Sequence, residues 1–115
     1  MARTISVAKT KTTTAEETIF TVPTKNTGLW SLMYIVSTAG TNSPTVTWYD
    51  ASENATHYII GGKNLGVGEF VLLSDAVVAI EAGDQIKISQ TGTSSITYIA
   101  TIELFTNQAT QFHGG

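Results

Sequence analysis

Apolar and polar residues alternate with period two through most of this chain, the mark of strands with one face buried. In "ITYIATIELF", Ile96, Tyr98, Ala100, Ile102 and Leu104 share one face of a long closing strand. In "TVTWYDA", Val46 and Trp48 fall on one face, predicted to be the core, with Thr45, Thr47 and Tyr49 on the other. "TIFTVP" alternates and stops at Pro23, which lacks a backbone donor and so closes a strand. "VVAIEAGDQIKIS" reads as strand, corner and strand, with Gly83 in the corner. "LWSLMYIVS", residues 29–37, departs from the rule: it is apolar on both faces, as expected of a strand covered on both sides. "HYIIG" and "EFVLLS" add short strands, and the glycine-rich "GGKNLGVGEF" between them reads as a flexible connector. No window has a helical period. About eight short strands, with turn signals roughly every 8–12 residues, predict an all-β antiparallel sandwich of jelly-roll type.

The ends differ from this middle. Residues 1–17 are polar, so an extended N-terminal arm, mobile in solution, is expected ahead of a sandwich domain over 18–106. Arg3, Lys9 and Lys11 make the arm cationic, while Ile5 and Val7 alternate with polar neighbours. These five residues are the candidate partner-binding set, suited to adding an edge strand to a neighbouring protein. Residues 107–115 are polar and end in glycines, so a flexible tail is expected.

Composition narrows the function. At 115 residues the chain is one domain, and its 42% hydrophobic content is adequate for a core. Charged residues make up only 13%, and 20 threonines and 9 serines fill the gap. A hydroxyl-rich surface with little charge favours packing against other proteins. The net charge of −3 and six scattered basic residues speak against nucleic acid as a partner. There is no cysteine, which excludes disulfides, thiol nucleophiles and thiolate metal sites. The start, "MARTISVAKTK", has no secretory apolar region, and no run approaches the ~20 apolar residues of a membrane span. A soluble protein made in the cytosol is expected, so Asn54-Ala55-Thr56 is read as loop polarity and not as a glycosylation site.

Candidate chemistry is thin. Glu16 with Glu17, Asp50 with Glu53, and Glu81 with Asp84 are close carboxylate pairs in a linker, a loop and a corner, read as solvated turn residues. Glu53 with His57 makes at most a weak metal pair, and the second histidine, His113, lies in the tail. Hydroxyls have no oriented base beyond His57, and "GGKNLGVGEF" lacks the ending and the helix of a phosphate loop. The expectation is no enzyme, no cofactor and no metal. Among Trp30, Tyr34, Trp48, Tyr49 and Tyr58, the outward pair Tyr49 and Tyr58 could serve as a sugar-stacking platform, which keeps a carbohydrate-binding module open as an alternative.

"IFTVPTKNTGLWSLMYIVSTAGTNSPTVTWYDAS", "VVAIEAGDQIKIS" and the closing "SSITYIATIELF" together resemble a pattern in small β-sandwich structural proteins of tailed-bacteriophage virions. The resemblance covers roughly residues 17–105, and "VPTKN" departs from the usual "VPAGK" at the first turn. It implies a structural virion role with no catalytic residues: a capsid decoration (cement) protein, or an accessory piece of the neck, tail or fibre. It also implies a virion location after assembly in the host cytoplasm, the major capsid protein or other virion proteins as partners, and a homotrimer at local three-fold points of the shell. The two-faced strand at 29–37 independently favours self-association.

Overall fold

In the computed structural model, which describes residues 2–74, 77–92 and 95–106, nine strands form two antiparallel sheets packed as a sandwich. The strands are β1 (Ala2–Lys11), β2 (Glu17–Thr21), β3 (Asn26–Ser37), β4 (Ser43–Asp50), β5 (Ala55–Gly61), β6 (Phe70–Leu73), β7 (Val78–Glu81), β8 (Gln85–Thr91) and β9 (Ile96–Thr106). Sheet A has the order β1-β9-β3-β6, with β7 also paired to β3; sheet B has the order β2-β8-β4-β5. The pairs β1 with β9, β2 with β8, β3 with β6 and β7, and β4 with β5 are those of one long hairpin. Rolling that hairpin brings β9 against β3 and β8 against β4, which is jelly-roll topology.

Alternation fixes which side chains fill the space between the sheets. Sheet A contributes Trp30, Met33, Ile35, Ile80, Ile96, Tyr98, Ala100, Ile102 and Leu104; sheet B contributes Ile19, Val46, Ile60, Ile86 and Ile88. Trp48 faces inward with Val46 but sits at the margin, half-buried, its indole donating to Asp84 Oδ2 at 3.0 Å. A bulge in β3 between Trp30 and Leu32 leaves Ser31 without a register partner on β9. The extra residue shifts the phase, so Gly28 and Trp30 face inward before it and Met33, Ile35 and Ser37 after it. Leu29, Leu32, Tyr34 and Val36 therefore face away from the core.

Eight of the nine strands lie where alternation put them, and the ninth corrects the expectation of a mobile arm. Residues 2–11 pair with β9 of the same chain over its whole length, from Ala2 opposite Phe105 to Lys11 opposite Ile96. The composition is polar because β1 is an edge strand with one face in solvent. Its inward positions, Ile5 and Val7, are enough to pack on the core, and the backbone ladder does the rest. The expected tail, 107–115, and His113 within it lie outside the described residues.

Candidate interaction surface

The partner-binding set proposed for the arm is engaged within the chain. By register Arg3, Ile5, Val7, Lys9 and Lys11 all take the inward-facing side of β1. Ile5 and Val7 pack against the core. Lys9 reaches Glu17 Oε1 at 3.3 Å, and Lys11, whose side chain is fully buried, reaches Glu17 Oε2 at 3.2 Å. The Lys11 ammonium also donates to Thr13 Oγ1 at 3.2 Å and to the carbonyl of Ala15. Glu17 opens β2, the edge of sheet B, so these ion pairs clasp the edges of the two sheets together. Burial alone would raise the Glu17 carboxyl, but hydrogen bonds and charge from Lys11 and Lys9 together outweigh it and hold it below the usual range. Burial pushes the neighbouring Tyr98 hydroxyl up, with the Glu17 charge and hydrogen bond adding to it. Inward-pointing lysines also keep β1 from templating a further strand. Arg3 is exposed and borders a shallow groove with Pro23, Asn26, Leu104 and Thr106.

The carboxylate pairs are not brought together as chemistry, and one was misread. Asp84 is a buried hub, where a solvated turn residue was expected. Besides Trp48, its carboxylate accepts the backbone N–H groups of Ala51 at 2.9 Å and Glu81 at 2.9 Å. Gly83 turns the corner at φ 89°, a conformation that L side chains rarely adopt. Glu16 lies 3.9 Å from Lys87, and Ser52 donates to Asp50 at 2.9 Å. His57 lies against Trp48, with ring centroids 5.1 Å apart. Among the described residues no three His, Asp or Glu side chains are placed to hold a metal, and no helix is long and apolar enough to cross a membrane.

Tyr49 and Tyr58 both stand on the outward face of sheet B, in adjacent cross-strand rows: Tyr49 opposite Thr56, and Tyr58 opposite Thr47. Tyr58 is 76% exposed. Tyr49 is less free, donating to Asn54 Oδ1 at 2.6 Å with Lys87 Nζ 5.6 Å from its ring centroid.

The surface that stands out lies on the opposite side. Two rows cross the outward face of sheet A: Ala8-Ile99-Tyr34-Leu72 and Thr10-Thr97-Val36-Phe70. A third, Ser6-Thr101-Leu32, continues them toward the bulge. The β3–β6 side is thus an apolar patch in which Phe70 is 56% and Leu72 51% exposed, with Tyr34 and Phe70 in ring contact at 5.7 Å. The β1–β9 side carries hydroxyls that satisfy one another: Ser6 with Thr101 at 3.0 Å and Thr10 with Thr97 at 3.1 Å. Sequence reasoning saw half of this in residues 29–37. It missed Phe70 and Leu72, although "FVLL" is also apolar at consecutive positions, the same two-faced signal on a shorter strand.

The loop bordering the patch is pinned, contrary to the flexible connector expected of "GGKNLGVGEF". Leu65 is buried at the mouth of the sandwich and pairs with Asn42 through backbone bonds of 2.7 and 3.0 Å. Gly68 N donates to Ser37 O at 2.8 Å, and Gly66 N to Glu69 Oε1 at 2.7 Å. Gly68, at φ 81°, lets the chain turn here, and its neighbour Val67 is 66% exposed. The glycines shape a fixed loop.

The class defined by this geometry is the jelly-roll sandwich, with a largely apolar outward face on one sheet, where Glu103 of β9 stands in a row between Thr4 and Leu29. No protein-family model matches the chain, and no curated protein sequence does. Solved structures share the fold. The VP2 protein of infectious bursal disease virus, in its subviral particle, superposes with a TM-score of 0.60 at 10% identity, over 94% of this chain and 33% of VP2. The chain therefore spans about a third of that capsid protein's length. A Bacillus endospore appendage protein, described as forming disulfide-linked pili, gives a TM-score of 0.58 at 12% identity, covering 92% of this chain and 87% of its own. A protein in the capsid of Helicobacter pylori bacteriophage KHP30 gives 0.54 at 6% identity, covering 91% and 94%. At such identities the likeness is one of fold.

Proposed function

We propose that the chain is a non-catalytic structural protein of a virion: a capsid decoration (cement) protein that seats on a tailed-bacteriophage head and stabilises the shell. Its partners are the major capsid protein and further copies of itself, arranged as a trimer at three-fold positions. The observation that carries this reading is the outward face of sheet A, where three cross-strand rows place large apolar side chains and mutually bonded hydroxyls in solvent. Contiguous exposed apolar surface of this kind marks interaction sites on soluble proteins. The strand-corner pattern, which resembles one in tailed-phage virion proteins, supports the same reading. So does a fold found in two capsid proteins and in a pilus-forming appendage protein. A neck, tail or fibre position is the alternative within the same role.

The test is to locate the chain in an electron-microscopy map of the particle that contains it, and to measure its occupancy with Phe70→Ser and Leu72→Ser combined. The reading requires head-shell density for the wild type and a marked fall in occupancy for the variant. Particles that never carry the chain would refute it. The exposed Tyr58 ring keeps a sugar-binding reading in play; specific glycan binding abolished by changing Tyr49 and Tyr58 to Ala would replace the virion reading.

A further inference from the structure

The groove beside the apolar patch carries one charge of each sign. Lys63 and Glu69 line it together with Asn64, Leu65, Gly68 and Phe70. They do not pair with each other: the ion pairs among the described residues join Lys9 and Lys11 to Glu17, and Lys87 to Glu16. Glu69 uses Oε1 to accept the Gly66 N–H at 2.7 Å, which orients its carboxylate on a pinned loop. The groove thus offers a fixed anion and an exposed cation together with Phe70, which ends one of the apolar rows. A surface holding both signs next to an apolar patch is complementary to itself.

We infer that the Phe70–Leu72 patch takes a second copy of this chain, with Lys63 of one copy set against Glu69 of the next. This rests on the assembly role proposed above and names the partner that fills that surface. A rotation axis beside the patch gathers Phe70 and Leu72 of neighbouring copies and sets the Lys63 side of each groove toward the Glu69 side of the next, and rotational symmetry closes such head-to-tail contacts into a discrete oligomer. Burying the apolar rows drives association, while the charge pair fixes register and excludes like-charged arrangements. The hydroxyl strip on β1 and β9 can be covered without stranding polar atoms, because Ser6, Thr10, Thr97 and Thr101 already bond in pairs.

Sedimentation velocity on the purified full chain tests this, with thermal melts run in parallel. The wild type sediments above the 12.2 kDa of one chain. Phe70→Ser with Leu72→Ser gives monomer. Lys63→Glu and Glu69→Lys each weaken association by about tenfold or more, and the double exchange recovers most of the loss. Glu69→Gln keeps an oxygen for the Gly66 N–H, so it weakens association without lowering the melting temperature. A wild type that stays monomeric at high micromolar concentration overturns the inference, as does a double exchange no better than either single change. A monomer that still decorates purified particles overturns self-pairing and leaves the virion role standing.

Discussion

The two outward faces of the sandwich are built from the same alternation and carry opposite chemistry. On sheet B the central rows read Thr18-Lys87-Thr47-Tyr58 and Thr21-Gln85-Tyr49-Thr56. They are polar, with a lysine that also reaches toward Glu16. On sheet A the corresponding rows read Ala8-Ile99-Tyr34-Leu72 and Thr10-Thr97-Val36-Phe70, and the face carries a charge farther along β9, at Glu103 opposite Thr4 and Leu29. Burial between the sheets constrains neither set, so on the proposed assembly role the difference reflects what each face meets outside the chain. Sheet B carries the more polar rows and sheet A the more apolar ones.

The largest effects lie just behind the comparison, at inward positions. Trp30→Ala in β3 should cost about 3–5 kcal/mol in a denaturant melt, because it empties the best-buried aromatic site. Leu72→Ser on the neighbouring strand faces outward, so monomer stability should move by no more than about 0.5 kcal/mol while association falls. Equal costs at the two positions would mean that the outward face of sheet A is part of the fold, and the contrast between the faces would collapse.

The clasp that holds β1 in sheet A comes next. Glu17→Leu strands the buried Lys11 ammonium and should cost about 1.5–3 kcal/mol; adding Lys11→Met should return much of that. A double variant as unstable as Glu17→Leu alone would show that the lysine's charge is not what the carboxylate offsets. The same pair predicts a pH dependence. Glu17 titrates below its ordinary 4.5 in the folded chain, so its contribution is fully present above that value and is lost as pH falls through the lower folded value. The stability difference between wild type and Glu17→Gln should therefore shrink across that acid window, as read from melts at successive pH values. Tyr98 has the opposite sense: its hydroxyl is raised from 10.0, so its contribution holds below that pH and is lost as pH rises through the folded value. The smallest effect belongs to sheet B, where Tyr58→Ser should leave both stability and association within about 0.5 kcal/mol of wild type. A larger loss of association would move the interface to the other face.

Period-two alternation made the strands legible, because a half-buried strand writes its inner face into every second residue. Turn chemistry made most corners legible as well, Pro23 and Gly83 among them. Three features were hidden for physical reasons. An edge strand with one solvated face has the composition of a polar arm, and nothing in residues 2–11 announces that β9 lies alongside. Asp84 reads as a corner carboxylate until the fold brings the Trp48 indole and two backbone N–H groups onto it. The bulge at Ser31 changes which residues of β3 face out, and a strict alternation count cannot see a phase shift. The candidate interaction surface was half legible: residues 29–37 were apolar on both faces, but cover on both sides was expected where one side is open within this chain.

Solvent access to each face in the assembled state tests the central claim most directly. The chain has no cysteine, so a single introduced thiol reports on one face alone. Leu72→Cys marks sheet A and Tyr58→Cys marks sheet B, and maleimide labelling rates are compared between dilute monomer and assembled protein. The account predicts several-fold slower labelling at position 72 on assembly and an unchanged rate at position 58. Unprotected labelling at 72, or protection at 58 in its place, would contradict it.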